Sequence, residues 1–128
     1  MEYEEITEKI IGCAYQVYNR MGFGFLESVY EKCMMIELRK QGLKAEEQKS
    51  VVVRYDDTIV GEFKADMLVE DEIIVELKSV RNLSIIHEAQ LVNYLVATGK
   101  SLGLLINFSE KKVDVRRKVR ELSQYEKQ

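Results

Sequence analysis

Between Asp66 and Lys78 the chain reads Asp-Met-Leu-Val-Glu-Asp-Glu-Ile-Ile-Val-Glu-Leu-Lys, with charge set inside apolar, β-branched sequence. Buried strands keep ionised groups only where a partner or a bound ion compensates them. Glu76 and Lys78 are two residues apart, so on a strand they share a face and leave Val75 and Leu77 to the other. The run Phe63 to Val69 reads as the hairpin partner, and Glu70-Asp71-Glu72 as the turn. A three-residue turn sets Val69 opposite Ile73 and therefore Asp66 opposite Glu76, whereas a two-residue turn sends Asp66 to the other face. Opposed side chains have Cβ atoms about 5 Å apart. Two carboxylates that close, beside an ammonium, call for a cation between them, and such oxygen ligands suit Mg²⁺ or Mn²⁺. The alternative is a frayed strand end at Asp66, with Glu76 and Lys78 forming a half-solvated edge pair.

The rest of the chain narrows the setting. Its 128 residues, 46% apolar and 32% charged, are expected to make a single domain over 1–128 with a substantial core. No proline, repeat or low-complexity run marks a linker. A net charge of −3 disfavours coating nucleic acid by bulk electrostatics, although a local basic patch suffices for an enzyme. The acidic Met-Glu-Tyr-Glu-Glu start is unlike a signal peptide, and no apolar run approaches the roughly 20 residues of a membrane span. Cys13 and Cys33 form neither a CxxC nor a Cys/His cluster. These features point to the cytoplasm, with no membrane partner.

Ile6, Ile10, Cys13, Ala14, Val17 and Tyr18 recur at three and four, predicting a helix over 3–21, with Thr7 as a cap or an exposed position. Gly22-Phe23-Gly24-Phe25 breaks it, and a second helix runs from Leu26 to about Gln41, stopped by Gly42. Glu27 occupies its first turn, where the helix dipole alone favours an acid, and Tyr30 follows three residues on. Strands are expected over 43–53 and from Ile59 through Asp66, with Gly61 marking a bulge or a close approach. Asn82 or Ser84 caps a third helix over about 84–99, apolar over most of its circumference and so expected to be largely buried. His87, Gln90 and Tyr94 share its remaining stripe; each is either satisfied within the core or faces a site. Leu102 to Phe108 is a continuously apolar strand, joined to the Lys78 strand by a right-handed crossover and so parallel to it. The stretch 111–120, with six basic residues and one acid, reads as an edge strand.

In order, this is helix, helix, a three-stranded meander carrying Asp and then Glu-x-Lys, a helix carrying Gln, and a buried strand. The chain resembles the PD-(D/E)xK nuclease superfamily. More narrowly, Gly24-Phe25-Leu26-Glu27-Ser28-Val29-Tyr30 is similar to the pattern that names the GxxExxY proteins. Further likeness lies in Ala65-Asp66, Val75-Glu76-Leu77-Lys78, His87-Glu88-Ala89-Gln90, Tyr94-Leu95 and Gly103 to Phe108, across about residues 5 to 120.

The resemblance implies an α/β fold of the α+β, mixed-sheet kind: a restriction-endonuclease-like αβββαβ core with an extra N-terminal helix. It implies Mg²⁺, or Mn²⁺, held by Asp66, Glu76 and the Leu77 carbonyl, with Glu27 as a further ligand, for phosphodiester hydrolysis in DNA or RNA. Lys78 would assist the attacking water, Gln90 would complete the catalytic set, and His87, Tyr94 and Tyr30 would touch substrate. A homodimer would address two strands. Two other classes remain: a non-catalytic nucleic-acid or protein interaction module on the same fold, and a metal-dependent enzyme for a small molecule.

Overall fold

The apolar stripes of the sequence require a sheet covered on both faces, and the computed structural model, which describes residues 2–120, has that arrangement. Met1 and residues 121–128 of the expected 1–128 domain lie outside the described residues. Helices α1 (Tyr3–Met21) and α2 (Glu27–Lys40) precede strands β1 (Ala45–Tyr55), β2 (Thr58–Val69) and β3 (Ile73–Lys78); then come α3 (Ile85–Thr98), β4 (Leu102–Phe108) and β5 (Val113–Val119). The strands form one mixed sheet in the order β1-β2-β3-β4-β5. Only β3 and β4 pair in parallel, across the α3 crossover, with Glu76 beside Leu105 and Lys78 beside Asn107. This is the α/β fold expected.

One face of the sheet packs Met67, Val69, Ile73, Val75 and Leu77 against Ile6, Ile10, Val17, Tyr30, Met34 and Leu38 of α1 and α2. The other packs Leu68, Ile74 and Leu105 against Leu91, Tyr94 and Leu95 of α3. All seven residues of β4 are buried, as a strand covered on both faces must be. Gly103 lets α3 approach: a Cβ there would stand 2.8 Å from Leu91 Cδ1. Strand β5 forms one edge of the sheet.

Two expectations need correction. Thr7 is neither a cap nor exposed; it is fully buried, its hydroxyl donating to the Tyr3 carbonyl at 2.7 Å. Helix α3 is not largely buried either, since Ile85, Ile86 and Val96 are exposed and only Leu91, Tyr94 and Leu95 are buried. A nearly continuous apolar circumference implies burial only where something covers each side, and the sheet covers one.

Turn chemistry sets the registers. Asp56 and Asp57 both take positive φ, at 48° and 62°, as a two-residue hairpin requires. Between Val53↔Gly61 and Arg54↔Ile59 the pairing shifts by one, so Val60 is a bulge beside Gly61. The turn after β2 has three residues, Val69 pairing with Ile73, with Glu70 and Asp71 at φ 53° and 59°.

Candidate active site

The β2–β3 ladder ends at Met67↔Val75, and there the side chains of Asp66 and Glu76 replace it. The Asp66 N–H donates to Glu76 Oε1 at 2.9 Å, and the Leu77 N–H donates to Asp66 Oδ2 at 2.7 Å. Each carboxylate therefore holds a backbone N–H of the opposite strand where the strands fork. Asp66 and Glu76 meet across the hairpin, through side-chain-to-backbone bonds rather than as the laddered pair expected.

Burial makes this pairing electrostatically demanding. Glu76 is 6% exposed, and burial, reinforced by the Asp66 carboxylate, pushes its pKa up to about 8. Asp66 is also raised by burial, against the Leu77 N–H and the Lys78 ammonium, which hold it down. Lys78 thus acts on both acids, and its half-buried side chain leads from the end of β3. A buried acid and a half-buried one, with one ammonium, are stabilised by a proton or a cation.

Helix α2 contributes a different acid from the one expected. Glu27 is exposed in its first turn, while Glu31, one turn further on, is 7% exposed. Glu31 Oε1 accepts from Gln48 Nε2 at 2.7 Å. Burial raises its carboxyl, the Gln48 bond opposes that, and the Asp66 charge adds to it. Gln48, in β1, has φ 51° and lies between the pairs Glu47↔Met67 and Lys49↔Ala65, where Asp66 would be its partner. Ala65 and Leu68, three apart, both pack on the α3 side, so the strand's alternation slips at Asp66. Sequence reasoning missed Glu31 and Gln48. For Glu31 the signal was its spacing to Met34, Met35 and Leu38, which puts it on the buried stripe; the left-handed Gln48 left no sequence signal.

The polar stripe of α3 divides. Tyr94 is 7% exposed, and its hydroxyl is raised by burial and then by Glu76 and Asp66. Gln90 is exposed rather than a buried amide. His87 does not face substrate through Nδ1: that atom accepts the Ser84 N–H at 3.2 Å and closes the start of α3. Tyr30 has no surface to offer a substrate, being 0% exposed. Its ring stacks on Phe108 at 4.3 Å, and its hydroxyl donates to the Gly22 carbonyl and accepts the Phe25 N–H. The Gly-x-x-Glu-x-x-Tyr pattern therefore marks a turn clamped by its tyrosine. Asn107, fully buried beside Lys78, accepts the Val80 N–H at 2.9 Å and donates to its carbonyl at 2.8 Å, tethering the chain just past Lys78.

The donor chemistry fits a hard divalent cation: Glu31, Asp66 and Glu76 are oxygen ligands whose charges burial disfavours. Among the described residues no three of His, Cys, Asp or Glu form a ready-made ligand cluster, and Asp66 and Glu76 are each engaged with a backbone N–H group. No described helix is long and apolar enough to cross a membrane.

Comparisons with known proteins speak to the fold and the family. No curated protein matches the sequence significantly. Among solved structures, the crystal structure of SSO0001 superposes with a TM-score of 0.61 at 17% identity, over 77% of this chain and 52% of that one, a likeness of fold. The chain thus spans about half the length of that structure. The sequence model described as PD-(D/E)XK nuclease superfamily matches residues 4–118, nearly the whole chain. With the forked hairpin carrying Asp66, Glu76 and Lys78, the chain belongs to the PD-(D/E)XK nuclease superfamily.

Proposed function

We propose that the protein is a metal-dependent phosphodiesterase acting on DNA, within the GxxExxY branch of the superfamily. The observation that carries this is the pairing of Asp66 with Glu76 across the fork beside Lys78. A divalent ion, Mg²⁺ or Mn²⁺, held by Asp66, Glu76 and the Leu77 carbonyl would supply Lewis acidity for a bound water and offset charge on the scissile phosphate. Lys78 orients that water and stabilises the anionic transition state. Tyr94, whose hydroxyl stays protonated because its pKa is raised, donates to a phosphate oxygen. Glu31, held by Gln48, adds the helix acid in place of the exposed Glu27. Gln90 contacts the substrate from the rim of the site.

The test is nicking of supercoiled plasmid and cleavage of labelled oligonucleotides, DNA and RNA, with Mg²⁺ or Mn²⁺. Cleavage by the wild type that is lost in Asp66→Asn and Lys78→Met supports the reading; cleavage unchanged by both substitutions refutes the site. Sedimentation of the same samples tests the homodimer expected for a two-strand cutter. A second reading, an interaction module with little turnover, draws on the backbone N–H groups that already engage Asp66 and Glu76. It predicts metal-independent binding without cleavage.

A further inference from the structure

Exposed apolar surface lies beside the candidate site. Between α3 and the β1–β2 hairpin runs a groove of about 790 Å³, whose walls include Val53, Phe63, Ile86, Tyr94 and Val96, with Arg54, Gln90 and Asn93 among them. Phe63 is 46% exposed, its ring 5.8 Å from that of Tyr94 at 33°. Gly61 leaves room for that ring: a Cβ at position 61 would come within 3.3 Å of Phe63 Cε2. Tyr94 joins the groove to the site, since it lines the groove and packs in one apolar cluster with Ala65 and Ile74, the strand neighbours of Asp66 and Glu76. An adjoining cavity of about 400 Å³ continues past Arg54 to Lys49 and Lys100.

We propose that this groove receives the unstacked bases of a single nucleic-acid strand whose backbone crosses Asp66 and Glu76, so that the substrate is single-stranded. This rests on the phosphodiesterase reading of the site. An apolar groove with one exposed aromatic ring and cations at its edge matches a strand that offers base faces and phosphates together. A duplex hides its base faces and is gripped by dense positive charge. Here Arg116 and Lys118, on the basic edge strand, are engaged by Glu88 and Asp114, at 2.7 Å for Lys118 to Glu88, and the other cations of that stretch, Lys111, Lys112, Arg117 and Arg120, lie at or beside the sheet edge opposite β1, whose residues wall the groove. Arg54, at the groove, has no carboxylate partner among the described residues and is placed to meet a phosphate.

Fluorescence anisotropy tests this with a labelled deoxyoligonucleotide, its duplex, an abasic strand of equal length and the matching ribo-oligonucleotide, in Ca²⁺, with cleavage in Mn²⁺ followed on gels. Either intact single strand should bind about tenfold tighter than the duplex, and Phe63→Ala should lower that affinity about tenfold, the size of one lost base stack. Phe63→Trp should restore it, and the abasic strand should bind the wild type as weakly as the intact strand binds Phe63→Ala. Equal binding of single strand and duplex overturns the proposal, as does a Phe63→Ala protein of unchanged melting temperature and unchanged affinity. A dimer dissolved by Ile86→Glu, with strand binding untouched, also overturns it and makes the groove an interface between copies. Groove-dependent binding without Mn²⁺-dependent cleavage sinks the phosphodiesterase reading and leaves the groove; cleavage without the Phe63 dependence does the reverse.

Discussion

Glu76 is held partly by a backbone N–H and partly by the need for a proton. Its pKa in the fold, about 8, lies above the ordinary glutamate value of 4.5. A raised pKa means that the fold binds the proton more tightly than the unfolded chain does. The associated stability is therefore full below about 4.5 and is lost as pH rises towards about 8. Melting curves of the metal-free protein should show wild type losing stability relative to Glu76→Gln across that window. Mn²⁺ at pH 8 should then raise the melting temperature of wild type more than that of the variant. Glu31→Gln should reduce cleavage about ten- to a hundredfold, as loss of a group supporting a metal site does. Glu27→Gln, at an exposed first turn, should reduce it far less. Charge within an apolar strand singled out Asp66, Glu76 and Lys78, which the fold brings together at the fork. Tyr30 and His87 read as contact residues because sequence spacing cannot tell an inward hydroxyl or a capping nitrogen from one facing a ligand.

At the level of elements, the end of β3 matters most, because Lys78 must be held beside two acids. Asn107, itself fully buried, satisfies both polar groups of Val80. Asn107→Leu should cost about 1–3 kcal/mol, since Val80 would keep its donor and acceptor without partners. Urea unfolding measures that loss, and cleavage should fall with it as the Lys78 end loosens. Gly103→Ala should destabilise by about 1–3 kcal/mol, because a Cβ there would press within 2.8 Å of the fully buried Leu91 at the α3–β4 contact. The helices and the β2–β3 turn were legible because period and turn residues are local. The exposure of Ile85, Ile86 and Val96 was not, since what covers a helix depends on the sheet beneath it and on the space opposite.

Across the whole molecule, a chain of net charge −3 cannot hold a polyanion through its surface at large, so binding must rest on cations grouped locally. Oligonucleotide binding should therefore have a shallow salt dependence: a log–log slope near −1 to −2, the release expected for about two or three neutralised phosphates on a single strand. A steep slope in a salt titration would mean a broad basic surface is engaged instead. Arg54→Gln should flatten the slope and leave the stacking on Phe63 in place.

The amino-acid order alone determined the elements, the parallel crossover and the meeting of Asp66 with Glu76, because helical period, strand alternation and turn length are local properties. Only the tertiary structure decided which acid of α2 reaches the hairpin, that Gln48 turns left-handed to hold it, and that α3 leaves an apolar wall open beside the site. Those outcomes depend on how separate segments pack, and on which side of each remains uncovered, which spacing along the chain does not encode.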